Sequence, residues 1–275
     1  MKKVATLILN RNLPKVTDKL YDHINKYDGK FTDIFVIEAG SDKENLSSNT
    51  TWYADWPEAK RDGLRYARGM NYGLSMLFKE NKFLKYDAFF LLTNDTELED
   101  KSTIEVLLEI FNKHKRLGIL SPCSHKWGEK LLLKGLNQTK YFWFIHNNSY
   151  FLRRDFIETI INKDKPDHIN FLFDGNNFRG YCSESELIAK AYANDWAAGI
   201  TSKVWSGENE SYLLDKANEI KTENYKENLK LYVEEGKKWM LNKYGYNSKW
   251  SMNLYTKSFY DAFFQFHPEF SKYKI

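Results

Sequence analysis

The stretch FFLLTNDTELED, residues 89–100, joins an apolar run to a polar, acidic end and is the clearest indication of the fold class. Its first four residues are apolar without alternation, which is typical of a strand covered on both faces in a parallel sheet. The run stops at Asn94 and Asp95, and the sequence then turns acidic. Ligands of open parallel sheets bind beyond the carboxyl ends of the strands. Asp95 is therefore either an ordinary turn residue or a group that the strand holds at the edge of a site.

Other apolar runs of the first half have the same form and alternate with helical patterns. The predicted elements are, in order, strand Val4–Leu9, a helix from Pro14 to about Asp28, strand Asp33–Glu38, helix Arg65–Phe78, strand Asp87–Leu92, helix Thr103–His114 and strand Leu117–Leu120. This alternation indicates βαβ units and an α/β fold with a mixed, mainly parallel sheet flanked by helices. The polar residues 43–63 are predicted to form an ordered loop.

From about residue 140 the pattern changes. Tyr141–Leu152 predicts an aromatic strand, and Arg154–Asn162 and Glu184–Asn194 predict helices. The last third is rich in Lys, Glu, Asn and Tyr, with long helical patterns, and predicts a helical C-terminal extension.

Composition excludes several classes of protein. The 41 basic and 37 acidic residues give a net charge of +4, too balanced for the basic stripe that binds duplex nucleic acid. The two cysteines, Cys123 and Cys182, match no metal spacing and no disulfide framework, which favours a reducing cytoplasm. The apolar run near the N-terminus is too short for a signal peptide, and no segment approaches the roughly 20 apolar residues that span a bilayer. We therefore expect a soluble cytoplasmic protein.

Polar side chains follow each of the three predicted central strands. They are Asn10, Arg11, Glu38, Asp42, Asn94 and Asp95. No dinucleotide fingerprint or P-loop follows the first strand, so nucleotide phosphates would need another counter-charge. A divalent cation held by Asp95 is the natural candidate, because Mg²⁺ and Mn²⁺ favour oxygen ligands and Mg²⁺ often takes only one or two carboxylates plus substrate phosphates.

Four segments, in this order, resemble the family 2 type of GT-A glycosyltransferases, in particular its rhamnosyltransferase- and galactofuranosyltransferase-like branch. They are VATLILNRN (4–12), DIFVIEAGSDKEN (33–45), ARGMNYG (67–73) and FFLLTNDTEL (89–98). The resemblance covers about residues 3–200. It implies a GT-A fold and a nucleotide cradle made of Asn10, Arg11, Glu38, Asp42, Arg68, Asn71 and Asn94. It also implies that Asp95 binds Mn²⁺ or Mg²⁺, with Thr93 at the first acidic position of the family's metal motif.

A fifth segment, SESEL (183–187), resembles the family's "EDxDL" helix start. The resemblance places Glu184 where a carboxylate deprotonates the acceptor hydroxyl and Glu186 at the second acidic position. Two glutamates in a first helical turn also complement the helix dipole, which is the structural alternative. Glu186 and Asp174 are the competing candidates for the base.

The segment FWFIHNNSYFLRRDF (142–156) is similar to the stretch that forms the floor near the donor sugar in the family. Asn147 replaces the family's glycine there. His146 either faces the sugar or the metal or is a structural residue.

The resemblance implies an inverting transfer of a sugar from a nucleoside-diphosphate sugar to a hydroxyl of a glycan or lipid-linked glycan. The implied setting is bacterial surface polysaccharide, lipo-oligosaccharide or capsule synthesis. Residues 1–205 would form the catalytic domain, with a nucleotide-sugar-binding half (1–122) and an acceptor half (123–205), and 206–275 the helical extension.

Two alternative functions and the role of the C-terminal region stay open at this point. The chain could be a non-catalytic carbohydrate-binding protein on a degenerate GT-A scaffold, or a sugar-phosphate nucleotidyltransferase, although NRNLPK lacks the glycines of the latter. The aromatic C-terminal region either packs on the core or at a homodimer interface, or contacts the inner face of the cell membrane peripherally.

Overall fold

A single mixed sheet forms the centre of the molecule. The computed structural model describes residues 3–126, 128–133, 135, 137–146, 148–209 and 211–275, so that Asn147 lies outside the described residues. Within these ranges the sheet has nine strands. They are β1 (Val4–Asn10), β2 (Thr32–Glu38), β3 (Thr50–Tyr53), β4 (Ala88–Thr93), β5 (Thr96–Leu98), β6 (Leu117–Ser124), β7 (Thr139–Tyr141), β8 (Ser149–Arg153) and β9 (Ala197–Glu208).

The order across the sheet is β3-β2-β1-β4-β8-β6-β9-β5, and β7 also pairs with β9. Strands β3, β2, β1 and β4 run parallel, as do β6 and β9. Strand β8 is antiparallel to both of its neighbours, β4 and β6, and so joins the two parallel parts. The predicted α/β fold with a mixed, mainly parallel sheet is confirmed.

Helices cover the sheet and form the C-terminal part of the chain. Those of the described residues are α1 (Pro14–Asp28), α2 (Pro57–Asp62), α3 (Arg65–Lys79), α4 (Ile104–Lys113), α5 (Glu129–Leu132), α6 (Arg154–Ile160), α7 (Ser183–Ala193), α8 (Ser211–Asp215), α9 (Ala217–Ile220), α10 (Tyr225–Tyr244) and α11 (Lys249–Phe266). Short 3₁₀ turns lie at Lys43–Asn45, Phe83–Lys85 and Pro268–Tyr273.

Helix α3 is stable despite two glycines because they bring it close to the sheet. A Cβ atom at Gly69 would lie 2.3 Å from the Leu9 side chain, and one at Gly73 would lie 2.3 Å from that of Ile37. The glycines cost helix propensity of about 1 kcal/mol each. They are required because the helix packs directly on β1 and β2.

Two predictions of secondary structure are wrong, and one strand has no predicted counterpart. Residues 43–63 form strand β3 and helix α2 in place of the predicted loop. Strand β3 buries only Trp52, so its sequence has no apolar run that would reveal it. Tyr141–Leu152 is two strands, β7 and β8, that lie in different parts of the sheet. Strand β9 has no predicted counterpart, because its two glycines, two serines and one threonine interrupt the apolar pattern. Its first six residues are nevertheless all buried.

The C-terminal region packs back on the core. Helix α11 contacts α7, and its Tyr260, Phe263 and Phe264 are buried in the main hydrophobic cluster. Of the alternatives for this region, packing on the core is therefore confirmed. No helix among the described residues is long and apolar enough to cross a membrane. Strand β9 continues to Glu208, past the predicted boundary at residue 205; the division into domains stays a prediction.

Candidate active site

The carboxyl ends of β1, β2 and β4 meet at one edge of the sheet. Asn10 pairs in register with Glu38, and its Nδ2 donates to Glu38 Oε2 at 2.8 Å. The Asn94 amide donates to Asn10 Oδ1 at 3.0 Å and to Thr17 Oγ1 at 3.2 Å. The topology thus brings together the polar groups that follow three strands. Asp95 comes next, in the turn between β4 and β5.

A cleft of about 210 Å³ opens at this edge, and Asn10, Asn94 and Asp95 lie in its wall. Tyr212, Ile220 and Thr222 come from the segment after β9 and line its other side. A second cavity of about 290 Å³, between α1 and β5, shares Asn94, Asp95 and Tyr212 with the first. Asp95 therefore borders both cavities, and its carbonyl accepts from the amide of Asn209 at 3.0 Å.

Glu38 is fully buried, and its carboxylate is engaged by protein donors. Besides Asn10, the donors are the Ser41 hydroxyl at 2.6 Å, the Ser47 amide at 2.8 Å and the Thr50 hydroxyl at 3.0 Å. Because a buried carboxylate must be satisfied, Glu38 fixes the loop that connects β2 to β3. A contact of Glu38 with the nucleotide stays a prediction.

Asp42 and Arg11 tie this loop to the segment after β9. Asp42 accepts from Lys221 Nζ at 2.7 Å. The guanidinium of Arg11 donates to the carbonyls of Ile220 at 2.8 Å, Ala39 at 2.9 Å and Ala59 at 2.8 Å. Burial, and then repulsion from a neighbouring arginine, lower the Arg11 pKa from its usual value. Arg11 lines the cleft, and the contacts of Arg11 and Asp42 with a nucleotide stay predictions.

Asn71 and Arg68 hold the loop between α6 and α7 against α3. The Asn71 side chain is fully buried and donates to the carbonyl of Phe173 at 2.8 Å, and its Oδ1 accepts from the amides of Leu172 at 2.9 Å and Phe173 at 2.8 Å. Arg68 Nε donates to the carbonyl of Gly175 at 2.7 Å. Both Asn71 and Arg68 thus position the loop between α6 and α7. Their direct contact with a nucleotide stays a prediction.

Replacing Asn71 by Ala is expected to lower the free energy of unfolding by about 3 kcal/mol, because it leaves several buried backbone groups without partners. Urea unfolding of the two proteins measures the difference. Asn170→Ala, an exposed position in the same loop, is the matched control and should change the free energy by less than about 0.5 kcal/mol. Equal effects of both substitutions would refute the role of Asn71.

Two of the three candidate bases share one lysine. Lys243 Nζ lies 2.5 Å from Asp174 and 2.7 Å from Glu186. Asp174 also accepts from Trp239 Nε1 at 3.0 Å, and Glu186 accepts from the Tyr244 hydroxyl at 2.6 Å. Burial alone would raise the Asp174 pKa, but the hydrogen bonds from Lys243 and Trp239 outweigh it and lower the pKa to about 2. Both carboxylates are therefore parts of an ion network that joins α7 to α10.

This network makes stability depend on pH in a defined direction. The folded-state pKa of Asp174, about 2, lies below the unfolded value of about 3.9. Its contribution of about 2 kcal/mol is therefore present above pH 4 and is lost as the pH falls toward 2. Urea unfolding at pH 6, 4 and 3 should show a smaller pH dependence for Asp174→Asn than for wild type. The exposed Asp164→Asn should retain the wild-type dependence, and loss of it in both variants would contradict the assignment.

Glu184 differs from the other two candidates. It lies in the first turn of α7 and is partly buried. Burial raises its pKa, and a backbone hydrogen bond and the nearby Lys249 ammonium only partly offset this effect. A carboxylate with a raised pKa in a partly buried site is typical of a general acid or base.

His146 is held by a buried carboxylate that the sequence did not reveal. Glu129 is 4% exposed, and its Oε1 accepts from the His146 backbone amide at 2.9 Å and lies 3.1 Å from His146 Nδ1. The His146 ring lies 5.3 Å from the Phe144 ring, and Lys249 Nζ lies 5.3 Å from the same ring. His146 and Lys249 thus flank one aromatic ring near the start of α7.

The residues at the strand ends fit a cation that is bound together with a substrate. No group of three His, Cys, Asp or Glu side chains in the described part of the chain could hold a metal ion. Asp95 offers one carboxylate at the cleft, and Mg²⁺ or Mn²⁺ can take its remaining ligands from phosphates and water. A cation held by Asp95 and a bound diphosphate matches this donor set.

The sequence matches no family model and no curated protein. The structure resembles that of S. aureus TarS residues 1–349, with 12% identity and a TM-score of 0.51 over 96% of this chain and 72% of that one. It also resembles GalNAc-T7, solved with UDP, GalNAc and Mn²⁺, with 9% identity and a TM-score of 0.53 over 96% of this chain and 56% of that one.

A third similar structure is the mannosyltransferase PcManGT from Pyrobaculum calidifontis in complex with GDP-Man and Mn²⁺. Its identity is 11% and its TM-score is 0.51, over 94% of this chain and 74% of that one. At such identities the likeness concerns the fold alone. The chain has the α/β fold of the GT-A glycosyltransferases.

Proposed function

We propose that the chain is a nucleotide-sugar glycosyltransferase of the family 2 type that inverts the configuration of the transferred sugar. One observation carries the proposal: in a GT-A fold, the turn Asn94-Asp95 ends the central strand β4 in the wall of a cleft, beside Asn10 of β1. Structures of this fold were solved with UDP, UDP-GlcNAc and GDP-Man, which supports a sugar nucleotide as the donor.

Asp95 would hold a Mn²⁺ or Mg²⁺ ion that arrives with the donor. When bound, the ion supplies positive charge that stabilises the departing nucleoside diphosphate. Asn10 and Asn94 position Asp95 through the hydrogen bond that joins the ends of β1 and β4.

Glu184 would act as the base. In an inverting displacement the acceptor oxygen forms its bond to the anomeric carbon while the bond to the diphosphate oxygen breaks and the diphosphate leaves. The acceptor proton passes to the Glu184 carboxylate, whose pKa is raised by burial. The implied acceptor is a hydroxyl of a glycan or lipid-linked glycan in bacterial surface polysaccharide, lipo-oligosaccharide or capsule synthesis.

A thermal-shift panel tests the proposal. UDP, GDP, dTDP and CMP are each added with and without Mn²⁺ to wild type and to Asp95→Ala. We expect one nucleoside diphosphate to raise the melting temperature of wild type only when Mn²⁺ is present, and the shift to be lost in Asp95→Ala. If no nucleotide stabilises the wild-type protein, the donor site is refuted and a non-catalytic carbohydrate-binding role on the same scaffold becomes the better account.

A further inference from the structure

The segment after β9 closes the cleft at the strand ends. Ile220 and Thr222 line the cleft, and Arg11 binds the Ile220 carbonyl at 2.8 Å. Lys221 pairs with Asp42 at 2.7 Å. The remaining volume of about 210 Å³ is below the roughly 300–1,000 Å³ of typical small-ligand pockets. A nucleotide sugar therefore needs space beyond the cleft.

Two neighbouring cavities offer such space: the one of about 290 Å³ that shares Asn94, Asp95 and Tyr212 with the cleft, and one on the side of Arg65. This second cavity of about 500 Å³ shares Arg65 and Thr222 with the cleft and is also lined by Arg179, Glu223 and Glu235. Arg65 stands at the junction, because its side chain borders both cavities. A ligand that extends from Asp95 past Arg65 would enter the cavity of about 500 Å³.

Two arginines that line this cavity bind the carboxylate of Glu223, which belongs to the segment after β9. Arg65 lies 2.6 Å from Glu223, and Arg179 binds the other oxygen of Glu223. Arg179 also pairs with Glu235. Arg65 and Arg179 both face the ring of Phe178, with guanidinium carbons 5.7 and 5.5 Å from its centroid. We refer to Arg65 and Arg179 as the arginine pair.

The arginine pair has donors left over. The side chain of Arg179 is 7% exposed, and the buried Nε atoms of Arg65 and Arg179 have no hydrogen-bond acceptor among the described residues. A guanidinium is a five-donor fork that matches phosphate oxygens. Both forks converge on Glu223 beside the donor cleft, and Glu235, whose buried Oε2 also lacks a partner among the described residues, takes one nitrogen of Arg179. The unused Nε donors fit a ligand with more acceptor oxygens than Glu223 provides.

We propose that the arginine pair is a subsite for the diphosphate of the substrate, and that the Glu223 carboxylate occupies this subsite until the diphosphate displaces it. The proposal rests on the proposed function for the identity of the diphosphate, as that of a sugar nucleotide. Displacement would release residues 217–223 from the cleft and make room for the nucleotide. Glu223 is then a built-in competitor of the donor.

The test is isothermal titration of inorganic pyrophosphate, without metal, into wild type, Glu223→Gln and Glu219→Gln. Glu223→Gln removes the competing charge and is expected to bind pyrophosphate about tenfold more tightly than wild type, the effect of one charge-assisted contact. Glu219 pairs with Lys216, and both side chains are exposed, so Glu219→Gln should bind like wild type. Adding Arg179→Gln to Glu223→Gln should abolish the gain.

Equal affinities of wild type and Glu223→Gln would overturn the proposal. A second measurement uses the unaltered protein: pyrophosphate should accelerate backbone hydrogen exchange in residues 217–224, and unchanged exchange under saturating pyrophosphate would also overturn the proposal.

UDP and GDP titrations separate the diphosphate subsite from the proposed sugar-nucleotide function. If pyrophosphate binds in the predicted way and no nucleotide binds, the subsite is supported while the sugar-nucleotide function fails. If nucleotides bind equally to wild type and Glu223→Gln, the function is supported and the subsite fails.

Discussion

Glu184→Gln is expected to lower the rate of sugar transfer by about 10³-fold while the affinity for the donor stays unchanged. The amide has the shape of the carboxylate but cannot accept the proton of the acceptor hydroxyl. Release of nucleoside diphosphate, measured with the sugar nucleotide that the thermal-shift panel identifies, gives the rate. Titration calorimetry gives the donor affinity.

The pH profile adds a second readout for Glu184. A base must be ionised, so the rate should fall as the pH drops through the Glu184 pKa, which burial has raised above the ordinary value of a glutamate. Asp174→Asn is the matched comparison, because Asp174 is a competing candidate for the base and its pKa is about 2. If Asp174→Asn abolishes transfer and Glu184→Gln does not, the assignment of the base is wrong.

Asp95→Ala is expected to weaken Mn²⁺-dependent nucleotide binding at least about 100-fold, because the protein contributes few oxygen ligands and Asp95 is one of them. Calorimetric titration of the nucleotide, with and without Mn²⁺, measures the loss. In the absence of Mn²⁺ the variant and wild type should bind the nucleotide equally weakly, since the carboxylate acts only through the cation.

Asp155→Ala serves as the control for Asp95→Ala. Asp155 lies in α6, is 59% exposed and pairs with Arg154, so its loss should leave nucleotide affinity within experimental error. A Mn²⁺-dependent affinity that survives Asp95→Ala would show that the cation is held elsewhere.

The sequence predicts the central part of the sheet well and its margins poorly. Strands β1, β2 and β4 are covered on both faces, so that each is an uninterrupted apolar run. Strand β3 lies at the edge and buries only Trp52. Strand β9 contains glycines and polar residues, and its pairing with β6 and β7 places it in the sheet. Such strands are defined by tertiary contacts and not by local composition.

The same distinction holds for the site. Asn10, Glu38 and Asn94 follow strands whose ends must meet, so their proximity could be predicted before the fold was known. The pairing of Arg65 with Glu223 joins residues 158 positions apart, and no local pattern marks it. The Glu129 carboxylate that holds His146 lies in a short helix outside every motif of the sequence.

The most direct test of the donor site is a crystal structure of the protein with Mn²⁺ and the nucleoside diphosphate that stabilises it, recorded with anomalous scattering from manganese. We expect one anomalous peak within coordination distance of an Asp95 carboxylate oxygen, with the diphosphate bound to the same ion and the Glu223 side chain moved away from Arg65. A nucleotide bound away from the ends of β1 and β4, or an ion bound without Asp95, would contradict the proposed donor site.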